Sequence, residues 1–273
     1  MIDSTCELPP MPVVVSRVIS LASDPDTDAK VMERAILADH ALTTGILKIA
    51  NSSFYGCQRT TNTLASAIVL IGFNGIKALA VAASLKSLYR EIDLTEKMLW
   101  EHSVGAAIAA HILSRRLGCN IEEAFVGGFI HDIGKVILNN QMNNVFREIM
   151  QASYNEGISF VDAERERLGI THAEIGGLIM KRWNLSAEMV GAVTYHHHVE
   201  GIDPSAIKSL KFAALLNLAD HICGYLGIGY REAVKGIDFN SLKSFQILKA
   251  GEARFPAVIE EIRNEYEAEK GNF

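Results

Sequence analysis

The residues best suited to chemistry are a histidine and an aspartate that stand side by side, His131 and Asp132. Together they offer an imidazole and a carboxylate to one point in space, and these donors suit a divalent transition metal. The two oxygens of an aspartate can also bridge two metal ions. Because an isolated His-Asp pair occurs by chance in many chains, its weight depends on the residues that accompany it.

Further potential ligands stand on both sides of this pair. They are His102, His172, His196, His197 and Asp220. Apart from the adjacent His196 and His197, neighbours in the series lie 23 to 40 residues apart, which places each on a different helix of a bundle. Bundle cores are where facing helices assemble metal sites. Asp220 lies in an apolar helix, where an unpaired carboxylate would be costly and a metal would relieve that cost.

The elements that must position these residues are predicted to be helices. Residues 26 to 203 contain no proline, and proline is excluded from helix interiors. Apolar residues recur at helical spacing, and the alternation typical of strands is not evident. The sequence therefore predicts an all-α fold in which a helical bundle holds the candidate ligands.

Several polar residues have the spacing of helix ends. Ser159 and Thr171 each precede an acidic residue by three positions, which is the pattern of an N-cap with its reciprocal partner. Asn120 has the same spacing, and Thr95 is expected to cap the helix that carries His102. Gly169 is placed where a helix would end.

The segment Leu64–Leu85 is apolar enough to raise the question of a membrane span, since Lys77 is its only charge. However, Gly72, Asn74, Gly75 and Lys77 fall in its middle, where polar groups are most costly in lipid. Two short buried helices that meet at Gly72 explain the segment better. We therefore expect no membrane span.

Composition and charge narrow the range of partners. Hydrophobic residues make up 49% of the 273 residues and charged residues 21%, which is ordinary for a globular chain and argues against disorder. The net charge is −6 and no basic stripe is visible, so nucleic acid is not an expected partner. The four cysteines have no Cys-x-x-Cys spacing and no basic leader precedes an apolar run, which favours a cytoplasmic location.

Two lobes are expected along the chain. The charged stretch Arg90–Lys97 separates an N-terminal set of helices from the region that contains the ligands. We therefore predict an N-terminal helical lobe over residues 1–92 and a metal-binding helical lobe over residues 93–273.

Motifs in the first half of the chain resemble one family. Leu8–Pro12, Leu37–Leu42, Ile49–Gly56 and Ala67–Gly72 resemble, in order, the motifs of the HDOD family, the HD-related output domain. The order of His102, His131-Asp132 and Asp220 resembles the wider HD superfamily of metal-dependent phosphohydrolases. The resemblance runs from about residue 5 to residue 225 and implies an HD-superfamily helical bundle with an N-terminal helical lobe.

The resemblance also implies functions. HDOD proteins are bacterial signalling modules that act through protein partners, and many have lost the HD ligands, which this chain keeps. The stretch His131–Lys135 is similar to the HD-GYP phosphodiesterases of cyclic dinucleotide signalling. That similarity implies that Asp132 bridges two metals and that Lys135 contacts phosphate. It assigns one metal to the set His102, His131 and Asp220, and the other to His172, His196 and His197.

Two features of the HD-GYP enzymes are missing. No Gly-Tyr-Pro follows the histidine run, because Gly229-Tyr230 lies too far on and precedes Arg231. Met98 stands four residues before His102, where some relatives carry a glutamate for a third metal. A binuclear site of iron, manganese or another first-row metal is therefore expected, and a cyclic dinucleotide is not the favoured substrate.

Two functional classes remain open at this stage. The family resemblance favours the first, a regulatory output module with signalling protein partners, whose metal site is structural or senses a ligand and which could also hydrolyse a phosphoester. The intact ligand set favours the second, a phosphohydrolase acting on a phosphoester, a nucleotide or a cyclic nucleotide. In that case two metals would lower the pKa of a shared water and hold the phosphoryl oxygens, and Asp132 and Lys135 would be the catalytic residues.

The remaining histidines are expected to be ordinary. His40, His111 and His221 are read as packed or exposed residues, and His198 as the solvent-facing end of the histidine run. Spacing does not decide between His196 and His197 as the better ligand, so both are kept.

Overall fold

The structure is a computed structural model that describes residues 8, 10–51, 61–89, 93–119 and 123–271. Over these ranges the chain forms fourteen α-helices, three short 3₁₀ turns and no strand. The prediction of an all-α fold is confirmed. The helices divide into two compact units, one built on Met11–Ser87 with Ala253–Phe273 and the other on Leu88–Glu252.

The first unit contains five helices. They are α1 (Val13–Ser23), α2 (Ala29–Leu37), α3 (His40–Ala50), α4 (Leu64–Leu85) and the C-terminal α14 (Phe255–Glu269). Helices α1, α2 and α3 all pack against α4. Val18, Ile36, Ile46 and Leu79 are fully buried there, so the unit has an apolar core of its own.

Helix α4 is broken at Gly72, as the sequence predicted. The φ of Gly72 is 75° and its ψ is 169°, a conformation that glycine adopts without a Cβ penalty. The arms Leu64–Phe73 and Gly75–Leu85 meet at 110°. The expectation that both arms are buried is wrong for Val69 and Leu70, which are 81% and 51% exposed. A helix packed on one side buries only one face, and Ala67 and Ile68 occupy that face.

None of the helices in the described ranges is by itself long and apolar enough to cross a membrane. The two arms of α4 meet the length and composition criteria only when they are taken together.

The second unit contains the helices that carry the candidate ligands. They are α5 (Leu94–Arg116), α6 (Ala124–Ile130), α7 (Ile133–Gln141), α8 (Asn143–Glu156), α9 (Phe160–Leu168), α10 (His172–Arg182), α11 (Ala187–Tyr195), α12 (Ile207–Leu226) and α13 (Lys243–Leu248). Helix α5 packs against α6 and α12, α10 packs against α7 and α11, and α11 packs against α12. The central helices therefore converge from several directions on one interior.

Most of the predicted helix ends agree with the structure. Ser159 caps α9, Thr171 forms a reciprocal capping box with Glu174 at the start of α10, and Gly169 ends α9 in the left-handed conformation. Thr95 is not a cap. Asp93 takes that position, because its carboxylate accepts a hydrogen bond from the backbone N–H of Glu96 and starts α5 two residues earlier. The expected cap Asn120 lies outside the described residues.

The C-terminal helix groups with the first unit. The sequence-based domain 93–273 did not anticipate this return of the chain. Helix α14 has a buried face that contains Phe255, Val258, Ile262 and Tyr266, and an apolar face of this kind must be covered by other helices. The division between the units after Ser87 lies close to the expected end of the N-terminal lobe at residue 92.

Candidate metal centre

Six helices and their ends position the seven predicted ligands. His102 lies in the middle of α5, and Asp220 lies in α12. His131-Asp132 forms the junction between α6 and α7. His172 is the first residue of α10, and the pair His196-His197 follows the last residue of α11.

The structure brings all seven side chains together in two groups whose ligand atoms lie within 4.8 Å of one another. One group is Asp132, His172, His196 and His197, and the other is His102, His131 and Asp220. All are buried except the half-buried His197. Residues that are up to 118 positions apart in sequence thus form one polar cluster inside the unit.

Asp132 lies at the centre of this cluster. Its Oδ1 is 3.1 Å from Nε2 of His172, 3.6 Å from Nε2 of His196 and 3.7 Å from Nε2 of His131. Its Oδ2 is 3.4 Å from Nε2 of His102. The carboxylate therefore faces histidines of both groups.

Hydrogen bonds on the outer side of the rings set their orientation. Nδ1 of His131 is 2.7 Å from the carbonyl oxygen of Gly128, and Nδ1 of His196 is 2.7 Å from that of Val193. A carbonyl oxygen can only accept, so both rings carry their proton on Nδ1. Their Nε2 atoms consequently direct lone pairs towards Asp132. This arrangement is the one that metal-ligating histidines use.

The residues present fit a divalent metal. Asp132 Oδ1 and His196 Nε2 are buried and make no hydrogen bond, and such groups are costly unless a partner satisfies them. In addition, His172 Nε2 lies 3.0 Å from His197 Nε2, and His102 Nε2 lies 3.3 Å from His131 Nε2. Two nitrogens bound at right angles to one metal at about 2.1 Å would be about 3.0 Å apart. The spacing of the ring nitrogens is thus that of ligands around a shared cation.

The electrostatics of the cluster favour ionised carboxylates at Asp132 and Asp220 and neutral imidazoles at His131 and His197. Burial would raise the pKa of Asp132 and of Asp220, but nearby Lys135 and the histidines hold both well below the ordinary value. Burial lowers the pKa of His131 to about 3, and the pKa of His197 also falls well below its usual range. These four groups are therefore in the form that binds a metal cation.

A family model for the HDOD domain matches residues 8–199 of the chain. The chain belongs to the HDOD family. The resemblance drawn from its motifs is confirmed.

Solved structures of similar fold cover nearly the whole HDOD chain. An HDOD domain protein of unknown function from Geobacter sulfurreducens has a TM-score of 0.80 at 24% identity, with 97% of this chain and 94% of that chain covered. A Shewanella amazonensis protein named for an inferred phosphohydrolase activity has a TM-score of 0.74 at 23% identity, with 97% and 95% covered. At these identities the likeness shows the fold.

Curated relatives match part of their own length only. An uncharacterized protein of Treponema pallidum is 23% identical over 201 residues, which are 72% of this chain and 39% of that protein. Ribonuclease Y of Petrotoga mobilis is 32% identical over 114 residues, which are 42% of this chain and 16% of the enzyme. The HDOD chain thus spans from about a sixth to about two fifths of these relatives.

Lys135, the predicted phosphate-contacting residue, lies beside the cluster. Its Nζ donates a hydrogen bond to Asp132 Oδ2 at 2.6 Å and lies 5.1 Å from the centre of the Phe160 ring. Burial would lower the pKa of Lys135, but Asp132 and Asp220 raise it above the ordinary value. The HDOD cluster therefore has a permanently charged ammonium group at its edge.

Sequence reasoning missed Glu164, which orients one of the predicted ligands. Oε2 of this fully buried glutamate accepts from both the backbone N–H and the Nδ1 of His172, at 3.0 and 2.7 Å. Burial would lower the pKa of His172, but Glu164 raises it above its usual value. The only signal in the sequence was the position of Glu164 next to Ala163 on the buried face of an otherwise charged helix.

Tyr230 and Asn217 were also missed. The hydroxyl of Tyr230 donates to Asp220 Oδ1 at 3.2 Å, and Nδ2 of Asn217 donates to the carbonyl oxygen of His196 at 2.8 Å. Gly229 has a φ of 73°, and a Cβ there would meet the Cβ of His102 at 2.5 Å. Only a glycine lets the chain turn this close to α5, which is how Tyr230 reaches Asp220.

Histidines that were set aside lie outside both ligand groups. The side chain of His198 is 75% exposed, as expected for the end of the histidine run. His221 places its Nδ1 2.8 Å from the carbonyl oxygen of Asn217 on its own helix. His40 and His111 are likewise absent from the two groups formed by the described residues.

Proposed function

We propose that this HDOD protein is a divalent-metal-dependent phosphohydrolase whose metal centre is the His/Asp cluster of the unit built on Leu88–Glu252. The observation that carries the proposal is Asp132 Oδ1, a buried carboxylate oxygen that lacks a hydrogen bond and faces three histidine nitrogens. A metal ion is the partner that satisfies this whole set of donors at once. Geometrically similar proteins named for an inferred phosphohydrolase activity agree with it.

The candidate ligands are numerous enough to hold two ions. Asp132 would be shared, with His172, His196 and His197 holding one ion, and with His102, His131 and Asp220 holding the other. Imidazole and carboxylate donors suit iron, manganese or another first-row metal. When bound, two such ions lower the pKa of a water molecule and neutralise the charge of phosphoryl oxygens.

The chain's own residues would contribute orientation and charge. Lys135 is protonated, so its ammonium group can bind a phosphate oxygen as a point charge. Tyr230 and Glu164 hold Asp220 and His172 in fixed positions. In the overall reaction a water oxygen bonds to phosphorus, the ester P–O bond breaks, and the leaving alcohol takes up a proton. The products are an alcohol and inorganic phosphate for a monoester.

Metal content tests the centre directly. We expect about two equivalents of iron or manganese in the purified and metal-incubated protein, measured by elemental analysis. Asp132→Ala and His131→Ala should lower this content sharply, whereas the exposed control His198→Ala should not. Wild-type protein that stays metal-free after incubation with these ions would contradict the proposal.

Turnover separates the enzyme from a binding module. We would assay phosphomonoesters, nucleotides, cyclic dinucleotides and, because ribonuclease Y is among the relatives, a short RNA. The proposal expects metal-dependent release of phosphate from a phosphoester that is lost in Asp132→Ala. A fully metal-loaded protein that hydrolyses none of these substrates would argue against an enzyme.

A second function, that of a signalling output module acting through protein partners, is favoured by the surface of the first unit. Val13 is 84% exposed, Val69 81% and Leu37 56%, and these large apolar side chains are accessible to a protein partner. A similar Marinobacter aquaeolei structure is named for an inferred signal-transduction role. A partner that is captured by the wild-type chain, but not by Val69→Asp, and that binds equally well without metal would support this role.

A further inference from the structure

A cavity of about 120 Å³ adjoins the metal cluster. His102, Asp132 and Lys135 contribute to its wall, so a molecule within it would contact the cluster. The rest of the wall comes from α5, from α8, from the start of α9 and from the turn after α12. These residues are Thr95, Met98, Leu99, Phe146, Met150, Ser153, Tyr154, Phe160, Gly229 and Tyr230. We call this space the Tyr154 cavity.

We infer that the Tyr154 cavity binds a phosphate monoester whose organic part is a single uncharged flat ring. The inference rests on the proposed phosphohydrolase function and adds the substrate class to it. The phosphate end would lie against Lys135 and the metal cluster, and the ring would occupy the apolar part of the cavity.

The charges of the wall place the phosphate at one end only. Lys135 is the one cation among the residues that line the cavity, and Asp132 is the one carboxylate. Apart from these two and His102, the lining side chains are uncharged. With Lys135 taken by the first phosphate, a second phosphate would find no further ammonium or guanidinium group in this wall, and burying an unpaired charge is costly. The wall thus favours one phosphate and an uncharged remainder.

The chemistry of the apolar wall favours an aromatic ring. Four aromatic side chains line the cavity, those of Phe146, Tyr154, Phe160 and Tyr230. Met98 and Met150 add two thioethers. Aromatic pairs gain energy beyond their burial, and methionine sulfur makes favourable contacts with rings. Arg231 lies 5.1 Å from the centre of the Tyr154 ring and helps to hold it in place.

The cavity is partly open, and the space it encloses is about that of one ring. In another protein, an apolar cavity of about 150 Å³ binds benzene. The Tyr154 cavity is slightly smaller than that one. A cyclic dinucleotide, with two bases and two sugars, is far larger. The volume therefore favours a monoester with one compact substituent over a diester with two large ones.

Binding of two phosphonates to the full-length, Mn²⁺-loaded protein tests the inference without turnover, because a C–P bond is not hydrolysed by this chemistry. Phenylphosphonate carries the ring and methylphosphonate carries the anionic group with almost no organic part. Because burial of the ring stabilises the complex, calorimetry should show phenylphosphonate binding roughly tenfold tighter or more. Equal affinities would overturn the inference.

A matched pair of tyrosine variants tests whether the preference for the phenyl group arises in the Tyr154 cavity. Tyr154 lines the cavity and is 39% exposed, while Tyr225 lies outside it and is 41% exposed. Tyr154→Ala should lower the ratio of phenyl to methyl affinity by roughly three- to tenfold and leave methylphosphonate binding unchanged within about twofold. Tyr225→Ala should leave the ratio unchanged. If Tyr154→Ala fails to fold, Met150→Gln must lower the ratio in the same direction, and an unchanged ratio would overturn the inference.

Metal content measured on the same samples distinguishes the two proposals. Protein that binds neither Mn²⁺ nor either phosphonate would contradict both the proposed function and this inference. Protein that binds Mn²⁺, and that binds the two phosphonates with equal affinity, would contradict this inference but not the proposed function. Retained Mn²⁺ with a phenyl preference that depends on Tyr154 would support both.

Discussion

At the scale of single residues, the cluster depends on hydrogen bonds that lie behind the ligands. Glu164 is the clearest case, because one of its oxygens accepts two hydrogen bonds from His172 and the side chain is fully buried. A carboxylate in this position makes an imidazole a more basic ligand and fixes its orientation. The quality of the metal site should therefore depend on a residue that does not itself belong to either ligand group.

We predict that Glu164→Gln lowers metal affinity by about 10- to 100-fold, as is typical when such an outer partner is changed. The amide keeps the size of the side chain but removes its charge. Calorimetric titration with Mn²⁺ would measure the loss. Glu166→Gln is the matched control, because Glu166 lies on the same helix with a side chain that is 73% exposed. Equal affinities for the two variants would contradict the role of Glu164.

A second residue-scale prediction concerns acid stability and His111. Burial lowers the pKa of His111 to about 4, and the nearby Arg115 adds to this effect. In the unfolded chain its pKa is near 6.5. Between these values the unfolded state binds more protons, so the free energy of unfolding falls as the pH drops from about 6.5 towards 4.

Urea unfolding of the metal-free protein at pH 7 and pH 5 would measure this effect. Between pH 7 and pH 5 the free energy of unfolding should fall both in the wild type and in His111→Gln. We expect the fall to be roughly 1 kcal/mol smaller in His111→Gln than in the wild type. His40→Gln, a change at an exposed position of the first unit, should behave as the wild type does. An acid-induced loss that is the same in all three proteins would contradict the prediction.

At the scale of helices, the cluster requires unusually close approach between elements. Gly134 lies in α7, two residues after Asp132, and a Cβ at this position would collide with the backbone carbonyl of His172. Gly128 of α6 lies equally close to the backbone of Ala106 in α5. These glycines let the helices that carry the ligands come within reach of one another.

Gly134→Ala should lower the free energy of unfolding by about 1–3 kcal/mol, because the added methyl group overpacks the contact between α7 and α10. It should also weaken metal binding by separating Asp132 from His172. Gly224→Ala is the control, since a Cβ there would meet its nearest neighbour, Val234, at 3.5 Å. Urea unfolding and Mn²⁺ titration would compare them. If Gly134→Ala is as stable as Gly224→Ala, α7 and α10 can move apart to accommodate the methyl group, and the prediction is contradicted.

The sequence predicted the helices and the residues of the cluster better than the outer partners of that cluster. His102, His131 and Asp220 could be singled out because few residue types bind metals and because their order resembles a family. Glu164 could not, since a buried glutamate in a charged helix looks like any solvated acid until its neighbours are known. Tyr230 could not either, because its approach to Asp220 depends on the positive φ of Gly229.

At the scale of the whole molecule, the C-terminal helix connects the end of the chain to the first unit. Ile262 of α14 is completely buried. Sequence periodicity can predict the apolar face of α14 but not which unit covers it, because both units offer apolar helices. For this reason the predicted domain 93–273 included α14, which groups with the first unit in the structure.

We predict that Ile262→Ala destabilises the unit built on Met11–Ser87 by about 2–5 kcal/mol, the usual cost of truncating a buried isoleucine. Hydrogen exchange should show faster exchange in α1–α4, while Mn²⁺ affinity at the cluster stays unchanged. Glu260→Ala, on the exposed side of α14 with a side chain that is 54% exposed, is the control. Loss of protection confined to Leu88–Glu252 would instead place α14 with the metal-binding unit.

The distribution of the ligands along the chain has a consequence for the kinetics of unfolding. The candidate ligands, which range from residue 102 to residue 220, form two groups in one cluster. Bound cations would therefore close several long loops at once, as a set of disulfide bonds does. Each helix that leaves the cluster would have to break a coordination bond first. The metal-bound protein should therefore unfold far more slowly than the metal-free form, and loss of the ion would set the lifetime of the folded chain.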